Sequence, residues 1–116
     1  MLALVTGGGG RLGNVLVRRL LEAGHQVRVL EPGNRPESLD GLKIEFVSGS
    51  VLDADDVAGA LEGVDVVYHL AAKIDLRPKK DPMMVPINVE GTRTVVEACL
   101  SRGRRLVHTV KNVRAR

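Results

Sequence analysis

Glycines at Gly7, Gly8, Gly9, Gly10 and Gly13, with the carboxylate of Glu31 further along, are the residues whose types and spacing can do chemistry. A run without Cβ atoms lets the backbone turn tightly and lets a bulky anion approach it. The run follows an apolar segment, Leu2-Ala3-Leu4-Val5, and opens an amphipathic one that ends at Gly24. A helix starting there points its unpaired N–H groups and positive dipole end into the turn. A second apolar run, Val27-Arg28-Val29-Leu30, closes on Glu31, 18 residues past Gly13. A carboxylate at that point can accept hydrogen bonds from both hydroxyls of an adenosine ribose. The ligand expected from this pattern is a dinucleotide, its pyrophosphate on the helix N-terminus.

Two glycine registers share these residues. Gly8-x-Gly10-x-x-Gly13 is the dinucleotide fingerprint, and Thr6-Gly7-x-x-Gly10-x-x-Gly13 is a wider spacing used by other Rossmann enzymes. Glu31 would repel a ribose 2′-phosphate, since like charges about 4 Å apart cost roughly 1–4 kcal/mol depending on screening. NAD is therefore expected over NADP. Arg11 and Arg35 oppose that preference, because either guanidinium could swing to a 2′-phosphate.

The elements that must position these groups alternate along the chain. Leu2–Val5 reads as a buried strand. In the helix after the glycines, Leu12, Leu16 and Leu20 recur every four residues, with Val15 and Leu21 widening the stripe. Gly13 lies in its first turn, where a side chain would hold helix and strand apart. The stretch from Pro32 to Leu42 is a loop with a single helical turn near Glu37–Leu39, and Lys43–Val47 alternates as a third strand. Asp53 is the expected N-cap of a helix over Ala54–Leu61, with Gly63 as its stop. Val64–Leu70 is a fourth strand and Ala71-Ala72 follow it, small enough for a ligand to lie against the backbone. Pro78, Pro82 and Pro86 interrupt the next segment, whose Met83-Met84 pair is read as core filling. A helix over Asn88–Leu100 places Val89, Thr92, Val96 and Cys99 on one face. Gly91 inside it costs about 1 kcal/mol against alanine and so signals a close approach to the sheet or to a ligand. Arg105–Thr109 is a fifth strand. Strands alternating with helices predict an α/β, three-layer αβα fold of Rossmann type, with parallel strand order 3-2-1-4-5.

Composition narrows the function. With 116 residues, 44% hydrophobic and 27% charged, the chain is one ordinary globular domain and not a disordered one. Residues 1–109 are read as the nucleotide-binding half-domain and 110–116 as a disordered basic tail. No run approaches the ~18 apolar residues of a membrane helix, and the start offers no export signal. Cys99 is the only cysteine, so no internal disulfide forms and a reducing cytoplasm is expected. Beyond Glu97 there is no acid, while Arg102, Arg104, Arg105, Lys111, Arg114 and Arg116 are all basic. With aromatic residues at only 2% there is no stacking platform, so nucleic acid is not the expected partner. No residues are assigned as metal ligands.

Val64-Asp65-Val66-Val67-Tyr68-His69-Leu70-Ala71-Ala72 and Asn88-Val89-Glu90-Gly91-Thr92 make the resemblance specific. From Leu2 to about Thr109 the chain resembles the amino-terminal half of an extended short-chain dehydrogenase/reductase. It is similar to the NAD-dependent epimerase/dehydratase, dihydroflavonol-reductase and 3β-hydroxysteroid-dehydrogenase-like members. The wider glycine register is that family's own. The resemblance implies that Gly7, Gly10, Arg11, Leu12 and Gly13 hold the pyrophosphate and Glu31 the adenosine ribose. It implies that the Leu70-Ala71-Ala72 corner passes beneath the nicotinamide half and that Asn88 supports the site. Val51 would use its backbone near the adenine, beside Ser50, which stands where the family usually has an aspartate.

The same resemblance implies hydride transfer at a secondary alcohol or ketone of a small molecule such as a nucleotide sugar, flavonoid or steroid. In the family the fifth strand leads to a serine or threonine, then a Tyr-x-x-x-Lys pair that moves the hydroxyl proton and holds the nicotinamide ribose. Here Thr109 is a weak catalytic candidate, and Val110-Lys111-Asn112-Val113-Arg114-Ala115-Arg116 follows it. Tyr68 is the only tyrosine and is read as strand packing; His69 is read as a strand-end residue and not as a base. The expectation is a Rossmann half-domain cut off after strand five, with no catalysis of its own and a basic ending like a shifted or terminated frame. Competing readings are an NAD-responsive regulatory module and a truncated product without function. The fifth strand would be an open edge available for self-association.

Overall fold

The computed structural model describes residues 1–70 and 89–108. Its elements are strand β1 (Leu2–Thr6), helix α1 (Arg11–Glu22), β2 (Gln26–Glu31), a 3-10 turn (Glu37–Leu39) and β3 (Glu45–Ser48). Then follow α2 (Ala54–Ala60), β4 (Val66–His69), α3 (Gly91–Arg102) and β5 (Arg105–His108). The strands form one sheet in the order β3-β2-β1-β4-β5, every neighbouring pair parallel. The fold is the expected Rossmann-type αβα arrangement.

Alternation along the strands divides the core between two faces. Leu4, Leu30 and Val67 pack on one side with Val57, Leu61, Val95 and Cys99 from α2 and α3. Val5, Val27 and Val29 pack on the other with Val17 of α1 and Leu39 of the 3-10 turn. Asp53 caps α2 as read from the sequence, its carboxylate accepting from the N–H groups of Asp55 and Asp56. Gly24, Gly63 and Gly103 all adopt positive φ where their helices or turns end.

Arg28 ties the layers together. From β2 its guanidinium reaches the carbonyls of Ala60 and Glu62 at the end of α2, both at 2.7 Å. It also pairs with Glu45, its direct neighbour on β3, at 2.8 Å. A cation on the last carbonyls of a helix satisfies groups that have no partner within it.

The structure corrects several boundaries and two helix faces. Strand β3 runs Glu45–Ser48, not Lys43–Val47, and β4 is shorter than Val64–Leu70. In α1 the buried line is Gly13 and Val17, with Leu16, Leu20 and Leu21 beside it; Leu12 and Val15 are 56% and 54% exposed. The reason is Gly13, which lets α1 touch the glycine turn and so fixes the helix by its smallest residue. In α3 the buried line is Gly91, Val95 and Cys99, while Val89 is half exposed. Its phase too is set by a glycine: a Cβ on Gly91 would lie 2.6 Å from Val51 Cγ2. The close approach signalled by Gly91 is thus to Val51, in the turn before α2. Ala71, Ala72, the Met83-Met84 pair, Asn88, Thr109 and the basic tail lie outside the described residues.

Candidate nucleotide-binding site

β1 sits in the middle of the sheet and ends at Thr6, and the turn Gly7–Gly10 carries the chain into α1. Gly7 has φ +80°, a conformation that favours glycine, and its carbonyl accepts the Gly10 N–H at 3.2 Å. Gly13 lies against this turn: a Cβ there would come 2.8 Å from Gly8 Cα and closer still to the Gly7 carbonyl oxygen. Gly9 is enclosed by side chains instead of backbone, with Pro36 and Glu31 where its Cβ would go. Gly10 differs. A Cβ on it would meet nothing nearer than the Gly7 carbonyl oxygen at 3.5 Å, an ordinary contact.

Gly10 is the N-cap of α1, no side chain caps the helix, and its first turn contains no acid. The N–H groups of Arg11, Leu12 and Gly13 have no carbonyl one turn back within the helix. Backbone donors at an uncapped helix start, beside a glycine whose added Cβ would make only an ordinary contact, fit a phosphate group. Arg11 and Leu12 are exposed at this end, so the exposure that removes Leu12 from the core leaves it beside the turn.

Glu31 ends β2 and is half-buried next to the same turn. Its Oε1 accepts the Gly9 N–H at 3.0 Å. Among the described residues its other oxygen has no hydrogen bond and suits a ribose hydroxyl. The loop after β2 closes over Gly9 from the other side, where the Ser38 hydroxyl donates to the Gly9 carbonyl at 3.1 Å. Asn14 Nδ2 donates to the Ser38 carbonyl at 2.7 Å, which fastens the loop to α1. Arg35 bonds the carbonyls of Leu39 and Leu42, at 2.8 and 2.7 Å, so its guanidinium is held inside its own loop.

On the far side of the sheet, the Ser50 hydroxyl accepts the Leu52 N–H at 3.0 Å and the Ser50 N–H donates to Asp56. Val51 is buried against Gly91, with Val57 and Leu61 in the same core. Leu70 leaves β4 with its N–H donated to the Thr6 carbonyl and hydroxyl, at 3.0 and 3.1 Å. These residues surround the carboxyl ends of β1, β2 and β4. Tyr68 does not join them; it is partly buried on the α1 face with Val5 and Leu20.

Sequence reasoning passed over a buried chain beneath the turn. His69 is 1% exposed, with Nδ1 at 2.7 Å from Thr6 Oγ1 and Nε2 at 3.0 Å from Thr92 Oγ1. Its ring is engaged on both nitrogens and is no solvent-exposed base. A signal was present: Thr6 and His69 are polar residues ending two apolar strand runs. Also missed were Gly9, as the point where Glu31 and Ser38 meet, and Ser38 itself, whose role depends on how the loop folds back.

A parallel sheet whose middle strand runs through a glycine turn into an uncapped helix start is the architecture of Rossmann-type nucleotide-binding proteins. The chain belongs to the 3-beta hydroxysteroid dehydrogenase/isomerase family, whose profile matches residues 4–111. It is 40% identical over 111 residues to sterol demethylase protein B of Methylococcus capsulatus, covering 94% of this chain and 34% of that protein. It is 38% identical over 116 residues to a 3-beta-hydroxysteroid dehydrogenase of Mycolicibacterium neoaurum, covering 94% and 31%. Among solved structures, a short-chain dehydrogenase/reductase superfamily protein from Agrobacterium tumefaciens with bound NAD superposes with a TM-score of 0.78. The two are 36% identical, over 93% of this chain and 32% of that one. The chain spans about a third of the length of the proteins it matches. Among the described residues no helix is long and apolar enough to cross a membrane.

Proposed function

We propose that this chain is the NAD-binding portion of an oxidoreductase or epimerase that works by hydride transfer at a secondary alcohol or ketone. The observation that carries the reading is the start of α1: backbone donors without a cap, no acid in the first turn, and a Gly10 whose added Cβ would make only an ordinary contact. The pyrophosphate would lie on the N–H groups of Arg11, Leu12 and Gly13, between Gly7 and Gly10. Glu31 would accept from the adenosine ribose through the oxygen that Gly9 does not use. Ser50 and Val51 would border the adenine. Leu70, Ala71 and Ala72 would pass beneath the nicotinamide half and Asn88 would support the site, as in the family. NAD, when bound, supplies the hydride acceptor.

NAD is preferred over NADP in this reading. Glu31 is fixed beside the glycine turn, where the ribose would lie, and Arg35 would have to give up two carbonyl bonds to reach a 2′-phosphate. Arg11 alone of the two cations is left at the helix start. Proton transfer needs a further group, and the 116 residues contain no Tyr-x-x-x-Lys. Thr109 alone could polarise a carbonyl but could not relay a proton onward. The substrate of a longer parent would be a small molecule with a ring- or chain-borne hydroxyl, a description that the steroid dehydrogenase relative satisfies by name.

Calorimetric titration of the chain with NAD, alongside Gly10→Val, tests the binding half of this reading. Binding by the parent chain and its loss in a variant that still folds is the expected result. An equal affinity in the variant overturns it. Incubation with NADH and candidate ketones tests the other half, and enzyme-dependent oxidation by the 116 residues would overturn the assignment of no independent turnover.

A further inference from the structure

We propose that His69 is a positioning residue that fixes the glycine turn relative to the exit of β4 and the start of α3, and so controls binding of the whole dinucleotide. The inference rests on the nucleotide reading above and adds a residue to it. Thr6 and His69 are side-by-side partners on β1 and β4, and both are almost completely buried, at 0% and 1% exposure. The ring spans from Thr6 Oγ1 at 2.7 Å to Thr92 Oγ1 at 3.0 Å. Either hydroxyl can donate or accept, so one donor nitrogen and one acceptor nitrogen are both satisfied.

Each end of this chain is attached to a different part of the site. Thr6 immediately precedes Gly7, whose positive φ begins the phosphate turn. Its hydroxyl also receives the Leu70 N–H at 3.1 Å, where the chain leaves β4 for the nicotinamide side. Thr92 stands in the first turn of α3, beside the Gly91 that packs on Val51. One imidazole therefore sets the spacing between the part of the site that would hold phosphate and the part that would hold nicotinamide. A buried polar network is costly unless all of its members are bonded, so it tolerates only a narrow range of separations. An apolar residue of similar size would fill the space without fixing that distance.

Glu31 and Ser50, assigned above to the ribose and adenine, make no hydrogen bond to this chain among the described residues, which makes the proposal separable with a ligand that carries no phosphate. The experiment is calorimetric titration of the full chain, His69→Leu, His69→Gln and Thr92→Val with NAD and with adenosine. Expected is a loss of about tenfold in NAD affinity for His69→Leu and Thr92→Val, with adenosine affinity kept within about twofold. His69→Gln, which retains a donor and an acceptor, should recover part of the NAD affinity. A parallel loss for NAD and adenosine would show a merely structural role and overturn the proposal, as would unchanged NAD affinity in Thr92→Val. Should His69→Leu fail to fold, the near-isosteric Thr92→Val still decides the matter. Failure of the parent chain to bind either ligand would instead overturn the nucleotide reading, and this proposal with it.

Discussion

The carboxylate of Glu31 holds the N–H of Gly9 at 3.0 Å, so the acid that ends β2 is bonded directly to the glycine turn that follows β1. The two features read from the sequence as separate contacts for one ligand are a single unit. Glu31 orients the turn with one oxygen, and in the proposed function the other accepts from a ribose hydroxyl. Replacing it should therefore change both the shape of the turn and the choice of cofactor. For Glu31→Ser the NAD-to-NADP affinity ratio should fall by roughly tenfold, in keeping with the removal of a like charge near the 2′ position. Paired titrations with the two cofactors measure this, and an unchanged ratio would remove Glu31 from the ribose site.

Gly13 and Gly10 should separate folding from binding. A methyl at Gly13 meets backbone on Gly7 and Gly8 that cannot move aside, so Gly13→Ala should cost about 3 kcal/mol or more of stability. At Gly10 the same methyl has room, and Gly10→Ala should unfold at close to the parent temperature while binding NAD more weakly. Thermal melts with and without NAD distinguish the two. Equal destabilisation by both would contradict the packing described for this turn.

Arg28→Ala should destabilise without touching the site. Its side chain is only 12% exposed and its bonds go to Glu45 and to carbonyls at the end of α2. Hydrogen bonds to a charged group of this kind put the loss at about 2–3 kcal/mol by urea denaturation. NAD affinity, corrected for the folded fraction, should not change.

Burial pushes the Cys99 thiol above its ordinary value of 9.0, and the nearby Arg102 guanidinium offsets part of that. A raised value in the folded state means that folding disfavours the thiolate. This contribution is fully present below the unfolded thiol's value and is lost as the pH rises above it. Alkylation of the native chain by iodoacetamide at pH 8 should be slow and should speed up in urea. Cys99→Ser should flatten the part of the fall in melting temperature above about pH 9 that the thiol causes. Rapid labelling of the native chain would contradict the buried position.

Much of this architecture was legible because the strands of a parallel sheet are written as short apolar runs, each followed by a helix and a stop. Val27–Leu30 and the Asp53 cap show this directly. The glycine turn was legible because a missing Cβ leaves a spacing that can be counted. The phase of α1 was not. Counting leucines favoured Leu12, whereas the contact line is set by Gly13, the residue with nothing to bury. The pairing of Thr6 with His69 depends on the register of β1 against β4, and the Ser38–Gly9 contact on a loop folding back; neither is written in local sequence. Arg28 stood in the sequence only as one member of the second apolar run, and its purpose appears only when the end of α2 is placed beside it.

The most direct test follows the backbone amides of an isotopically labelled chain by NMR as NAD is added. The N–H signals of Arg11, Leu12 and Gly13 should shift most, with Gly10 beside them and smaller changes near Glu31. A titration that leaves those amides where they were, while NAD binds elsewhere or not at all, would contradict the account at its centre.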